Sequence, residues 1–329
     1  MAKTGPGIFS DFTIYEEEFY GGMNDVIARN TTAFNGASAN AIRLVQQAHV
    51  GNFLKEAYFA QIANLVTRRD ITSTAAVTDD ELTSSEVISP KLNRRFQVAN
   101  TLDSLKKIGS DPREFSFILG EQVGQAKMVD WLDTVLSCGV TAVGKTAASF
   151  YNKGSNASNT MQYNYLIEAM KLMGDQSSRI KALAMHSKAY FDLMKTNITT
   201  VTDRVAGATI YEGTVGTLGL PVVVTDSASL INTDGVTSGT DSYYTMLLSE
   251  NALSVLESET ESVVGEFVTG NENLLYRVQG EHAYDASVMG ISYTSSTANA
   301  TDAALATAGN WTLKRASVKS AAGIVIEHA

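Results

Sequence analysis

The 329-residue sequence reads as an α+β protein of two or more lobes, on three grounds. A composition of 44% hydrophobic and 18% charged residues, with mean hydropathy −0.03, belongs to a folded globular chain, not a disordered or fibrous one. A capped amphipathic stretch starting at Asp111 marks one long helix, and short β-favouring runs before and after it supply strands. The chain is longer than a typical single domain, so the lobes are expected to be built from interleaved segments.

Residues 1 to 35 mix aromatics with acids (Phe9, Phe12, Tyr15, Glu16, Glu17, Glu18, Phe19, Tyr20) and then reach Gly21-Gly22 without a sustained period. This pattern predicts an arm. Aromatics on a segment too short to build its own core dock on the rest of the chain or on a neighbour, so Phe12, Tyr15 and Phe19 are contact candidates. Between Leu65 and Leu102, β-favouring ends flank a polar middle (Thr78, Asp79, Asp80, Glu81), as in a long two-stranded ribbon. Phe96 and Val98 alternate with Arg95, Gln97 and Ala99 on one of its arms. An isolated ribbon is marginal in water. Its cations Arg68, Arg69, Lys91, Arg94 and Arg95, on an otherwise acidic chain, are therefore candidates for contact with an acidic neighbouring subunit.

Asp111-Pro112-Arg113-Glu114 places an N-cap acid, a proline at the first helical position and a glutamate at the third. Phe115, Ile118, Leu119, Val123, Ala126, Val129, Leu132, Val135 and Leu136 then recur at spacings of three and four, and Gly139 follows as a C′ glycine. About 27 residues at 1.5 Å each make a strut about 40 Å long.

After the polar break NKGSNASNT the pattern shortens into a second lobe. A helix runs from Tyr163 to Met173 and ends at Gly174, a strand covers Ile180 to Met185, and Ser187 caps a helix carrying Tyr190, Phe191 and Leu193. Strands follow at Val222–Val224 and Tyr243–Leu248, then alternation through Phe267, Leu275, Tyr276 and Val278, and a last strand Gly323–Ile326 expected to return to the strut. No repeat of solenoid or propeller length is present.

The balance of 25 Lys+Arg against 35 Asp+Glu, net −10, removes sequence-wide attraction to phosphate backbones. Cys138 stands alone inside an apolar pattern and reads as a buried small hydrophobe. No apolar run is long enough to span a membrane, and MAKTGPGIFSDF lacks the features of a signal peptide, so the chain is expected to stay inside the cell that makes it.

One catalytic pattern matches in full: Gly139-Val-Thr-Ala-Val-Gly144-Lys145-Thr146 is G-x-x-x-x-G-K-T. A phosphate-binding loop needs a buried strand before it and a helix N-terminus after it. Here an amphipathic helix precedes it and turn residues follow within a few positions, so a P-loop NTPase is only a remote alternative and Gly139 reads as the helix cap. Gly213, Gly216 and Gly219 have the wrong spacing for a dinucleotide fingerprint. His49, His186, His282 and His328 lie far apart without metal-ligand spacing. No catalytic residue, metal site or cofactor is expected, and the protein is not expected to be an enzyme.

An arm, a ribbon, a capped strut helix and a compact α/β lobe, in that order, resemble the major capsid proteins of tailed bacteriophages, which share the Hong Kong 97-type fold. The segments carrying the resemblance are SLKKIGSDPREFSFILGEQVGQAKMVDWLDTVL at the start of the spine helix, HSKAYFDLMK, GTLGLPVVVTD and the ending TDAALATAGNWTLKRASVKSAAGIVI. The resemblance implies an N-terminal arm (1–40), an extended loop (65–100), a peripheral domain (41–64, 101–150 and 266–329, with the spine helix at about 111–138) and an axial domain (151–265). It implies a major capsid protein that self-assembles as hexamers and pentamers into the icosahedral shell around a double-stranded DNA genome. Another phage structural subunit, tail tube or decoration, is the alternative. The implied place is the virion, after assembly in the host cytoplasm. Its partners would be further copies of itself, a portal, a scaffolding protein supplied separately because no long charged helix opens the sequence, and in some systems a decoration protein. Neither a membrane nor sequence-specific nucleic acid is implied, and nothing identifies a Lys–Asn crosslink pair.

Overall fold

The computed structural model describes residues 15–59, 66, 68, 71–76, 84–101, 112–154, 159–195, 219–233, 241–315 and 317–329. Helix α1, Glu16–Ala37, occupies much of the segment expected to be an arm. Its buried residues Phe19, Met23, Val26 and Ile27 recur at helical spacing, and three acids in its first turn favour the positive end of the helix dipole. Gly21-Gly22 looks like a break in sequence, yet Gly22 lets the helix lie against the Phe117 carbonyl of a second helix.

That second helix, α2, spans Pro112–Gly144, 33 residues, about 50 Å at 1.5 Å per residue. It runs on past Gly139, correcting the expected end. A Cβ there would stand 3.0 Å from the Leu253 side chain, so the glycine marks a close approach to a strand and not a cap.

Two sheets flank α2. The first contains β1 (Ile42–Gln46), β2 (Phe53–Phe59), β3 (Ser84–Thr101), β9 (Leu253–Val268), β10 (Leu275–Val288), β11 (Ile291–Tyr293) and β12 (Trp311–Leu313), after a short helix α5 at Asp302–Leu305. The long β9–β10 hairpin is its centre, with β1 parallel on the outer edge of β9. The ribbon differs from the expected one. Its pairing begins at Phe53, where β2 runs antiparallel to Ser84–Pro90, and the rest of β3 joins β10, from Lys91 opposite Asp285 to Thr101 opposite Leu275. The physical reason lies in the Phe96/Val98 alternation: those side chains pack against the core under the helices, so this half of the strand belongs to the body.

The second sheet orders β4 (Phe150–Asn152), β13 (Gly323–His328), β8 (Ser242–Ser249), β5 (Ile180–His186) and β6 (Val222–Thr225), with β7 (Ile231–Asn232) also on β8. Helices α3 (Tyr163–Met173, closed by Gly174 at φ 53) and α4 (187–195) cover one face. Side chains alternate across it: Leu183, Met185, Leu247, Ile324 and Ile326 join the α3 and α4 cluster, whereas Ala182, Ala184, Met246, Leu248 and Val325 join the α2 core. Two strands fall in the other sheet from the one their segment implied. The uninterrupted apolar run of β13 suits a strand covered on both faces, so it sits here, while the glutamate-bearing alternation of β9 suits the half-exposed first sheet.

Candidate assembly surface

The charged residues of β3 hold the body together. Arg94, facing α2 across the sheet, bonds Asp302 Oδ1 at 2.8 Å and Asp130 Oδ2 at 3.2 Å, and donates to Thr134 Oγ1 and the Tyr284 hydroxyl. Lys91 is buried and pairs with Glu259 at 2.5 Å while donating to the His49 carbonyl. Beneath α2, Lys127 contacts both Glu257 and Glu261, all three side chains buried, with its ammonium 4.9 Å from the centre of the Trp131 ring. Burial pushes the Lys127 pKa down and the Glu257 charge works against that. Lys127 sits four residues from both Val123 and Trp131, on the buried stripe of the helix. That position was the sequence signal for a buried ion cluster.

His282 stacks on Tyr284 with both ring nitrogens unpartnered among the described residues. Burial, then Lys127 and Arg94, lower its pKa to about 4. Asp285 is fully buried 3.4 Å from His49, and burial raises its pKa to about 6 against the pull of His49 and Lys91. Among the described residues no group of three His, Cys, Asp or Glu side chains could hold a metal ion, and no helix is long and apolar enough to cross a membrane.

The G-x-x-x-x-G-K-T stretch is the last turn of α2 and the turn after it. Lys145 donates to the Trp311 carbonyl, and β4 follows a single 3₁₀ turn. No helix N-terminus faces Lys145, so the phosphate cradle is not built.

The base of the ribbon is fixed to the body by the Tyr58 hydroxyl on the Lys314 carbonyl, the Arg315 guanidinium over the Tyr58 ring, and the Ile88 amide on Ser292 Oγ at 3.0 Å. Its own flanks are solvated, as in the exposed Lys55–Glu86 pair.

A profile of the Major capsid protein 13-like family matches residues 11–325. The chain belongs to that family. It is a major capsid protein with the Hong Kong 97-type fold, and solved structures agree on the fold. The capsid of Ralstonia phage GP4 matches 88% of this chain and 91% of its own at 13% identity and TM-score 0.51. The acid-stable capsid of Helicobacter pylori bacteriophage KHP30 matches 88% of each chain at 11% identity and TM-score 0.52, and the head of bacteriophage KHP40 does so at 12% and 0.50. No curated sequence matches the chain.

The candidate contact residues of this capsid protein divide into three groups. Phe12 and Arg69 lie outside the described residues. Phe19, Lys91 and Arg94 are engaged within the chain: Phe19 is buried and stacks on Phe96, and the two cations have the acids named above, which corrects their reading as free ribbon charges. Tyr15 is half-buried, its amide on Ser116 Oγ and its ring under Arg113. Arg68 and Arg95 are exposed. Sequence reasoning had no way to separate Arg94 from Arg95, since which of two adjacent strand residues faces the core depends on register with β10.

Proposed function

We propose that this capsid protein assembles as hexamers and pentamers into a closed icosahedral shell around double-stranded DNA, in the host cytoplasm, without chemistry of its own. The first sheet with α1 and α2 serves as the peripheral body, the second sheet with α3 and α4 as the axial lobe, and the β2–β3 ribbon as an extended loop that reaches a neighbour. The match to a family of major capsid proteins over residues 11–325 carries this reading. Its physics is consistent: net charge −10 keeps the wall from adhering to packaged phosphate, and many weak contacts between copies add stability by mass action. A separate scaffolding protein and a portal complete the assembly, with a decoration protein as an optional outer partner. Expression of the chain alone and with its scaffolding partner, followed by negative-stain microscopy, tests the reading. Closed shells support it, whereas tubes or only small oligomers under both conditions count against it.

A further inference from the structure

The far half of β3 is an open sheet edge with a cleft beside it. In an antiparallel strand the amide and carbonyl of one residue point the same way, and successive residues alternate. The Lys91 amide donates to the Asn52 carbonyl and the Asn93 amide to Asn299 Oδ1, partners that lie off β10. The backbone groups of Arg95, Gln97 and Ala99 therefore also turn away from β10. Beyond Asn93 they meet no partner among the described residues. Natural sheets rarely leave such an edge flat and accessible, because it templates strand addition.

The cleft gives that edge two unlike faces. It has a volume of about 510 Å³ and wraps the strand, with Phe96, Val98, Leu119 and Ala126 on the side toward α2 and Arg95 and Gln97 on the other. Five strand residues, Arg94 to Val98, cover about 16 Å, as do the helix residues from Leu119 to Asp130. A strand laid here would place alternate side chains into an apolar slot and the others beside an exposed arginine.

The sequence that ends at Tyr15 has that alternation. In residues 8–14, Ile8, Ser10, Phe12 and Ile14 share one side and Phe9, Asp11 and Thr13 the other. We propose that residues 8–14 of a second copy of this chain add to the β3 edge as a strand, with Phe12 in the cleft and Asp11 meeting Arg95. The inference rests on reading the chain as a shell subunit. It names one contact that would join two copies, and it gives the exposed Arg95 an acidic partner that its own described residues do not supply.

Hydrogen exchange on assembled shells and on dissociated subunits tests it. The Gln97 and Ala99 amides should exchange about a hundredfold more slowly in shells than in dissociated subunits. Protection already present in the dissociated subunit would assign the edge to the chain's own arm and overturn the proposal. Asp11→Lys and Arg95→Glu should each impair assembly, and the double variant should restore it; a double variant no better than the worse single one overturns the pairing. Gln97→Pro removes an amide that takes no part in the β10 ladder, so the subunit should fold with an unchanged circular dichroism spectrum yet fail to form shells. Normal shells from that variant would also overturn it. Wild-type protein that forms no shells sinks the shell reading and this inference together, whereas wild-type shells with freely exchanging edge amides sink only the inference.

Discussion

Gly120 of α2 faces the backbone carbonyl of Phe19 in α1 with no room between them for a methyl group. Gly124 repeats the approach one turn on, against the backbone of Met23, so the two helices pack through glycine along their shared stretch. Replacing Gly120 by alanine sets two effects against each other. Alanine favours the helix by about 1 kcal/mol, but the intrusion is against backbone, and overpacking of this kind costs about 1–3 kcal/mol or more. The clash should win, with Gly120→Ala losing about 2 kcal/mol in urea denaturation of the dissociated subunit. Gly21→Ala is the control, because nothing lies near its added methyl group, and it should gain about 0.5–1 kcal/mol. Equal effects from the two variants would show that the close approach does not govern packing.

The same glycines explain where the sequence was hard to read. Gly22 and Gly139 have the local signature of breaks and sit inside helices, because a glycine needed for tertiary approach is indistinguishable in sequence from one needed for a turn. Gly174, in contrast, does close α3 with a positive φ, and the elements around it in the second lobe were legible in type and place. What local pattern could not supply was strand partnership. The β3 strand was visible through Phe96 and Val98, yet its partner β10 lies some 180 residues away, as with Lys91 opposite Asp285. The assembly surface suffered most from this, since Arg94 and Arg95 differ only in which way the register turns them.

Lys145→Met should leave folding and shell formation intact. The lysine caps the Trp311 carbonyl at the exposed end of α2, so its loss removes one partly exposed hydrogen bond, worth about 1 kcal/mol. Calorimetry with ATP and magnesium should give no stoichiometric binding to either protein. Lysine-dependent binding at one site per chain would reinstate the P-loop reading.

Acid stability should depend on His282 and Asp285 with opposite signs. The folded pKa of His282 is lowered to about 4, so between the ordinary histidine value near 6.5 and pH 4 the unfolded chain binds the extra proton and stability falls as pH falls. Asp285 has its folded pKa raised to about 6, so between pH 6 and about 4 the folded chain holds the extra proton and stability rises as pH falls. Urea midpoints of the dissociated subunit from pH 7 to 4 should decline less steeply for His282→Phe than for wild type. They should decline more steeply for Asp285→Asn. His328, buried against Thr245 and also lowered to about 4, adds to the histidine side and should keep some acid sensitivity in the His282 variant. Parallel curves for all three proteins would refute the assignment.

Arg94 and Arg95 should separate folding from assembly. Arg94 touches Asp130, Asp302, Thr134 and Tyr284, drawn from α2, the start of α5 and β10, so its guanidinium ties three elements at one point. Its side chain is 27% exposed, which screens part of the attraction, and Arg94→Ala should cost about 2 kcal/mol and not the larger loss of a fully buried pair. Arg94→Glu would place a third carboxylate beside two others, and the isolated chain should fold poorly or not at all. Arg95 points the opposite way, exposed, so Arg95→Glu should change the urea midpoint of the subunit by no more than about 0.5 kcal/mol equivalent. Sedimentation should then show the two defects at different stages: Arg94 variants lost as unfolded or aggregated chain, Arg95 variants as folded subunits that do not close shells. If Arg94→Glu gave a subunit as stable as wild type, the intrachain cluster would be incidental and the cation free for a neighbour, as the ribbon pattern alone had implied.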